Sequence, residues 1–157
     1  MRIVVIGAGL VGAAAAERLA AGGHRVTLID AATPGSGTSG ATFAWINANE
    51  KVPRDYFDLN VAGMAAHRDG PWLHRTGRLQ WASPASDAER RALAEKDERL
   101  RAWDYRVDSL TAAEARRLEP HVAFPDDAAV SFYPDEGFVW PAVYLAHLLD
   151  AATAAGA

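Results

Sequence analysis

Residues 2–30, RIVVIGAGLVGAAAAERLAAGGHRVTLID, decide the fold of this chain. The run RIVVI is short, β-branched and apolar, which predicts a strand buried on both faces. It leads into a GxGxxG turn, then a run of helix formers that stops at Gly22-Gly23, then a second apolar run that ends on Asp30. The stretch therefore predicts a βαβ unit of the Rossmann type.

The three glycines of this turn each have a mechanical role in a dinucleotide fold. Gly7 permits the tight turn out of the strand, and Gly9 lets the backbone approach a pyrophosphate closely. Gly12 lets the helix pack close to the sheet, and the helix N-terminus presents free N–H groups to phosphates. Asp30 lies 18 residues beyond Gly12, near the spacing of a carboxylate that hydrogen-bonds a ribose diol. The predicted contacts to the ADP part are Gly7, Ala8, Gly9, Leu10, Val11, Gly12, Asp30 and Ala31.

The residues around Asp30 narrow the choice of cofactor. Asp30 is followed by Ala31-Ala32, without an arginine to pair with a 2′-phosphate, which disfavours NADP. NAD and FAD both remain, because both carry an adenosine ribose and a pyrophosphate. The N-terminus also has the pattern of a signal peptide, with Arg2 before a short apolar run. A cleaved signal peptide needs neither a second strand nor Asp30, so the dinucleotide interpretation is preferred.

A second glycine-rich segment, PGSGTSGATFAWIN at residues 34–47, follows the second strand. It is either a solvated loop in which Thr and Ser cap a helix, or a loop that holds a ligand. The carboxyl end of a parallel strand faces the cofactor crevice, and Thr38 and Ser39 supply hydroxyl groups there. In both interpretations, GATFAWIN (40–47) is expected to continue as a helix.

Residues 2–30 and GTSGATFAWIN (37–47) resemble the flavin-dependent amino-acid and amine oxidase family, typified by D-amino-acid oxidase and dehydrogenase, glycine oxidase and sarcosine oxidase. Residues 111–122 and 133–157 are similar to segments that return the family's chain to its FAD domain. The resemblance covers the whole sequence unevenly, and the middle is its weakest part. It implies that FAD is the cofactor.

The resemblance also implies roles for three hydroxyl side chains. Thr38 and Ser39 match the family's Thr/Ser segment, which lies along the FAD pyrophosphate and toward the flavin, and Thr42 extends it. Some relatives attach flavin covalently through a histidine in this region, and Thr42 stands at that place here. Non-covalent FAD is therefore expected.

The expected fold class is α/β: a Rossmann-like FAD-binding fold that opens with βαβ, with inserted helices and strands of an α+β substrate domain. Residues 1–50 are predicted to form the ADP-binding βαβ unit and flavin loop, 51–130 the insertion leading to the substrate domain, and 131–157 an incomplete return to the FAD domain. A final helix opens at Pro141, and a third parallel strand should follow it. The chain is therefore expected to be the N-terminal part of a longer flavoenzyme whose C-terminal half is missing.

The middle of the chain alternates helical and strand patterns. The helix predicted over 53–69 places Phe57, Val61 and Met64 on one face. Capping boxes at Ser86/Glu89 and Thr111/Glu114 begin two further helices, the first reaching about Trp103 with a solvated charged surface and the second ending before Pro120. Strands are predicted over 77–82 and 130–133.

Composition excludes several classes of function. A net charge of −4 provides no footprint for nucleic acid, and the apolar N-terminal run of fourteen residues is too short to span a bilayer. The absence of cysteine excludes disulfides and thiolate sites and fits a cytoplasmic protein. The five histidines lack the spacing of metal ligands, so no metal is expected.

The function implied by the resemblance is oxidation of the CH–NH or CH–NH₂ group of a small amino acid or secondary amine, by hydride transfer to flavin. No residue of this chain is assigned as catalytic. Two alternatives stay open. An NAD-dependent dehydrogenase explains residues 1–30 equally well but leaves GTSGATF (37–43) without a role. A truncated nucleotide-binding domain without catalysis is the other.

Overall fold

The computed structural model describes all 157 residues, which form two compact units. Unit 1 comprises Met1–Ala44, Asp69–His74 and Phe138–Ala157, and unit 2 comprises Trp45–Arg68 and Arg75–Gly137. In chain order the elements are β1 (Arg2–Ile6), α1 (Leu10–Ala21), β2 (Arg25–Ile29), β3 (Trp45–Ile46), α2 (Arg54–Ala66), β4 (Leu73–His74), β5 (Arg78–Ala82), α3 (Asp87–Ala102), β6 (Asp108–Leu110), α4 (Ala112–Leu118), β7 (Ala129–Tyr133), β8 (Gly137–Val139) and α5 (Pro141–Ala154). None of these helices has the length and hydropathy needed to span a bilayer.

The predicted βαβ opening is present in unit 1. Strands β1 and β2 pair in parallel with Val4 opposite Thr27, and α1 connects them. Helix α1 ends where the glycine pair predicted a stop, because Gly22 caps it and Gly23 turns the chain at a φ of +80°. The mixed α/β fold expected from the sequence is therefore confirmed.

The apolar sequence of β1 predicted a strand buried on both faces, but only one of its faces is buried. Val4 is 62% exposed and Ile6 is 83% exposed, whereas Val5 on the other face packs against the core of unit 1. Only one face meets helices, and the sheet has only the strands β1 and β2. An apolar run identifies a strand, but its burial depends on the elements that pack on each face.

Small side chains let α1 and α5 approach closely in unit 1. Ala13 of α1 packs with Leu145 and Leu148 of α5, and Ala152 packs with Ala16. These residues of α5 form its packing face. Next to these helices, β4 pairs antiparallel with β8, with His74 opposite Phe138.

The helix predicted for residues 40–47 is wrong. Residues Thr38–Gly40 form one turn of 3₁₀ helix, and the chain then turns at Ala44, whose φ is +46°. The Oγ1 atom of Thr42 accepts a hydrogen bond from the Ala44 amide at 3.0 Å, which stabilises this turn instead of a helix. Trp45 and Ile46 then form β3, in line with the strand preference of aromatic and β-branched residues.

Unit 2 is built on a three-stranded antiparallel sheet with the order β5-β7-β6. In this sheet Arg78 lies opposite Tyr133, and Asp108 lies opposite Phe132. Strands β5 and β7 and helices α2, α3 and α4 lie where the sequence predicted them, within a few residues at each end. One core cluster of this unit contains Ala48, Phe57, Leu100, Tyr105, Val107 and Tyr133.

Two details of the helices in unit 2 differ from the prediction. On α2, Phe57 is buried and Met64 packs against the core, but Val61 is exposed. A residue turns by about 100° in a helix, so Val61 is rotated about 40° from Phe57 and Met64 only about 20°. On α3, Lys96 and Asp97 are buried although the charged surface of this helix was predicted to be solvated.

The two predicted capping boxes form to different extents. The box at Thr111 is complete, because its side chain accepts from the Glu114 amide and the Glu114 carboxylate accepts from the Thr111 amide. At Ser86 only the first half forms, since the Glu89 carboxylate accepts instead from the amide of Ser83. The pattern located both helix starts correctly.

Truncation of Leu100 tests the core of unit 2. Leu100 is fully buried, so Leu100→Ala is expected to lower the free energy of unfolding by about 2–5 kcal/mol. The matched control is Leu59→Ala on α2, where the side chain is 68% exposed and a change within about 0.5 kcal/mol is expected. Urea unfolding followed by circular dichroism measures both values, and equal losses would contradict this assignment of the core.

Candidate functional site

The glycine-rich loop between β1 and α1 is held at the carboxyl ends of both parallel strands. Gly7 has a φ of +101°, a conformation that side-chain-bearing residues rarely adopt. Its amide donates a hydrogen bond of 2.8 Å to the carbonyl of Ile29, the last residue of β2. The predicted tight turn at Gly7 therefore also joins the two strands at their ends.

The other two glycines of the loop lack space for a side chain. A Cβ atom at Gly12 would collide with the carbonyl oxygen of Gly7, so the first turn of α1 lies directly against the end of β1. A Cβ atom at Gly9 would lie 2.9 Å from Oγ of Ser39. The spacing of the motif thus reflects two separate close contacts, one with backbone and one with the second loop.

Asp30 lies beside this loop and is held there by backbone amides. Its Oδ2 accepts from the Ala8 amide at 2.6 Å, and its Oδ1 accepts from the Ala32 amide at 2.8 Å. These two hydrogen bonds lower the pKa of the Asp30 carboxyl below its ordinary value, and the Ala31 amide adds a smaller effect in the same direction. The carboxylate is exposed and ionised at neutral pH, with lone pairs that can accept a ribose hydroxyl.

The second loop packs onto the first. The Ser39 hydroxyl oxygen accepts from the amide of Leu10 at 3.0 Å, and the amide of Gly35 donates to the Ala8 carbonyl at 3.0 Å. Ser39 therefore caps the start of α1 from outside the helix. The structure brings together the glycine loop, Asp30 and Ser39, whereas Thr38 and Thr42 are exposed.

Helix α1 offers amides for an anion. The amide N–H groups of Val11 and Gly12, in its first turn, have no carbonyl of an earlier helix residue to donate to. The Ser39 hydroxyl accepts a hydrogen bond only from the amide of Leu10. The positive end of the helix dipole lies at the same place. The close contacts at Gly9 and Gly12, together with the two amides that have no intrahelical acceptor, form a cradle that fits a pyrophosphate.

A cavity of about 410 Å³ in unit 1 extends from this loop. It combines the polar groups of Ala8 and Asp30 with apolar walls. The lining residues are Ala8, Leu28, Asp30, Ala32, Pro34, Leu149, Ala152, Thr153 and Ala157. Donors for phosphate, a carboxylate for a diol and apolar walls for a base together fit a dinucleotide.

A buried polar cluster in unit 2 was not predicted from the sequence. Its centre is Glu136, which is fully buried between β7 and β8 and accepts hydrogen bonds from Asn49 and Tyr105. Because its partners are distant in sequence, no local spacing marks Glu136 as different from the exposed acids around it.

Comparison with known families identifies one match along almost the whole chain. The family described as "FAD dependent oxidoreductase", abbreviated DAO, matches residues 2–157. A curated relative from Marinobacter nauticus, the tRNA 5-methylaminomethyl-2-thiouridine biosynthesis bifunctional protein MnmC, is 32% identical over 94% of this chain and 24% of its own length. The chain thus spans about a quarter of the curated relatives that it matches.

Solved structures share the fold of the whole chain. Glycine oxidase from Geobacillus kaustophilus matches with a TM-score of 0.84 and 26% identity, covering 99% of this chain and 45% of that one. Iminodiacetate oxidase from Chelativorans matches with a TM-score of 0.78, 26% identity and the same two coverages. L-proline dehydrogenase from P. horikoshii, at 24% identity and a TM-score of 0.81, supports the fold alone.

Substitution of Gly12 tests the contact between β1 and α1. Gly12→Ala is expected to destabilise the chain by at least about 1–3 kcal/mol, because the added methyl group collides with the Gly7 backbone. The matched control is Gly63→Ala in the interior of α2, where nothing lies within 4 Å and a gain of about 0.4–1 kcal/mol is expected. Denaturant unfolding measures both, and an equal effect of the two changes would contradict the close contact.

The pKa of Asp30 predicts a pH dependence of stability. Its pKa is lowered on folding from an ordinary value of 3.8, so the stabilisation is present above about pH 4 and is lost as pH falls through the lowered pKa. Asp30→Asn should therefore be less stable than the original chain at pH 7, and the difference should shrink in acid. Thermal unfolding between pH 3 and 7 measures it, and a difference that grows toward low pH would contradict the assignment.

Proposed function

We propose, because this chain belongs to the FAD dependent oxidoreductase (DAO) family, that it is the ADP- and pyrophosphate-binding part of a flavoenzyme that oxidises amino acids or secondary amines. The observation that carries the proposal is the convergence of the Gly7–Gly12 loop, Asp30 and Ser39 at the N-terminus of α1. The family match adds the identity of the cofactor to a site whose shape fits a dinucleotide.

Binding of the pyrophosphate is assigned to the first turn of α1. The amides of Val11 and Gly12 would donate to phosphate oxygens, and Gly9 leaves room for them to approach. The Ser39 hydroxyl accepts from Leu10, so its own proton remains available for a phosphate oxygen. The exposed hydroxyls of Thr38 and Thr42 are assigned to the pyrophosphate and ribityl chain.

Binding of the ribose is assigned to Asp30. Its carboxylate is oriented before the ligand arrives, since two amides hold its two oxygens. Each oxygen keeps a lone pair for a ribose hydroxyl proton. Ala31 follows it without a side chain that would obstruct the diol. Because Thr42 occupies the place at which some relatives carry a flavin-linked histidine, the cofactor is proposed to be bound without a covalent bond.

When bound, FAD would supply the acceptor for a hydride from the carbon beside the amine nitrogen, and water would hydrolyse the imine that this oxidation leaves. The part of this chain is to hold the nucleotide end rigidly. Residues 1–50 and 131–157 are proposed as its FAD-binding part and residues 51–130 as the path to a substrate domain. Groups that clamp the substrate are proposed to lie in a C-terminal half, because similar flavoenzymes are more than twice as long.

The names of the similar proteins indicate the substrate class. Glycine is a primary amine, and iminodiacetate is a secondary amine. The 5-methylaminomethyl group in the name of the curated relatives is also a secondary amine. Each has a hydrogen-bearing carbon next to nitrogen, which is the group that hydride removal requires. A small amine or amino acid with this group is the proposed substrate.

A cofactor titration tests the proposal against its closest alternative. FAD at 100 times its dissociation constant is expected to stabilise the chain by about 2.7 kcal/mol, and NAD at the same concentration should leave it unchanged. Thermal unfolding with each cofactor measures this, and a flavin absorption spectrum after gel filtration gives a second readout. Stabilisation by NAD alone would indicate a nicotinamide-dependent dehydrogenase and reject the flavin proposal.

The oxidation itself is tested on the complete gene product that contains this chain. Anaerobic addition of glycine or iminodiacetate should bleach the flavin absorption band if either amine donates a hydride. A flavin that stays oxidised with every primary and secondary amine tested would contradict the reaction while leaving the cofactor assignment intact.

A further inference from the structure

Glu136 is a fully buried carboxylate that four donors surround. Its Oε1 accepts from the amides of Ala48 at 3.2 Å and Asn49 at 3.1 Å and from the Tyr105 hydroxyl at 2.7 Å. Its Oε2 accepts from Nδ2 of Asn49 at 3.0 Å. Burial raises the pKa of this carboxyl, and the hydrogen bond from Tyr105 opposes that rise.

Asn49 links this carboxylate to a cation. Its Nδ2 donates to Glu136, and its Oδ1 accepts from Nη1 of Arg78 at 2.5 Å. This arrangement determines which end of the Asn49 amide is oxygen, because its two neighbours are an acceptor and a donor. The Arg78 guanidinium in turn lies 4.2 Å from the centre of the Trp45 ring, within cation–π distance.

Trp45 lines a cavity in unit 2. The cavity has a volume of about 440 Å³, and Trp45, Ile46 and Asn47 form part of its wall. The rest of the lining comes from Lys51, Tyr56, Leu59, Asn60, Gly63, Met64 and His67, with no acidic residue among them. Trp45 also follows the segment 38–44 directly in the chain. The hydrogen bonds of Glu136 and Asn49 therefore end on a side chain that shapes this cavity.

We propose that Glu136 is a positioning residue that acts through Asn49 and Arg78 to hold the Trp45 indole at the cavity. The catalytic part of this inference, that the Trp45 indole in turn helps to position the amine substrate, rests on the proposed function; the hold on the indole itself does not. The relay (Glu136, Asn49, Arg78 and Trp45) requires an acceptor at its buried end, because each hydrogen bond sets the direction of the next one.

Glu136→Gln tests the polarity of the relay at nearly constant volume. The new amide nitrogen would face Nδ2 of Asn49, donor against donor. If Asn49 flips to remove that conflict, its Nδ2 turns toward Arg78 and creates a second one. The flip removes one of the two anchors of the guanidinium, the other being the Glu50 carboxylate at 3.3 Å, and so shifts it from its present place over Trp45.

The double variant Glu136→Gln with Asn49→Asp is expected to restore the relay. The carboxylate at position 49 accepts both from the amide at position 136 and from Arg78, and the total charge of the pair is unchanged. Asn49→Asp alone would place two buried carboxylates in contact. The four proteins form a double-mutant cycle in which the coupling between positions 49 and 136 is measured directly.

The first readout is fluorine NMR of the chain labelled with 5-fluorotryptophan, in which Trp45→Phe identifies the Trp45 signal among five tryptophans. Glu136→Gln should shift that signal, and the double variant should return it. Tyr105→Phe is the matched control, because it removes one hydrogen bond from the same carboxylate without touching Asn49. It should lower the melting temperature and leave the Trp45 signal in place.

The second readout is kinetic and uses the complete gene product with glycine and iminodiacetate. Glu136→Gln should retain its flavin and raise KM on the order of tenfold, the factor that one lost buried hydrogen bond produces, and the double variant should recover it. An unmoved Trp45 signal in Glu136→Gln, or no recovery in the double variant, overturns the relay. A moved signal with unchanged KM and kcat rejects only its catalytic part. If the flavin is not reduced by any amine, the NMR result still tests the relay by itself.

Discussion

The contact between Gly12 and the Gly7 carbonyl is the constraint on which the rest of unit 1 depends. Because a Cβ atom has no room there, α1 begins directly at the end of β1 and its first amides lie at the carboxyl ends of both strands. The same close approach brings Ser39 against Gly9 and the Asp30 carboxylate against the Ala8 amide. The groups that we propose for the pyrophosphate and the ribose are thus placed by one backbone packing requirement.

Unit 2 depends on a different kind of constraint. Its buried acid Glu136 has no cation in direct hydrogen-bond contact, and its four donors are amides and a hydroxyl. Burying a carboxylate costs free energy unless its oxygen lone pairs accept hydrogen bonds. The buried Glu136 therefore restricts the positions of its donors closely. Residues 48 and 49 are held in this way, although they lie in a segment without regular secondary structure. The geometry of this loop is therefore a product of buried hydrogen bonds.

Local signals in the sequence were reliable where a residue's role is set by its neighbours in the chain. The capping residues Ser86 and Thr111 both begin helices, and Gly22-Gly23 ends one. The helix predicted over 40–47 failed because Ala44 adopts a left-handed conformation supported by the Thr42 hydroxyl, an alternative that composition does not reveal. On α3, charge density predicted a solvated surface, whereas Lys96 and Asp97 lie buried with partners from elsewhere in the chain.

By itself, the sequence determined the βαβ opening, the acid at its end and the family resemblance, because each depends on residue types at short and definite spacings. Only the tertiary structure decided which hydroxyl of the second loop meets the helix: Ser39 does and Thr38 does not. It also decided that Glu136 is buried, since its partners lie 31 to 88 residues away. Spacing along the chain reports local backbone geometry, whereas burial and long-range hydrogen bonds exist only after distant segments have packed together.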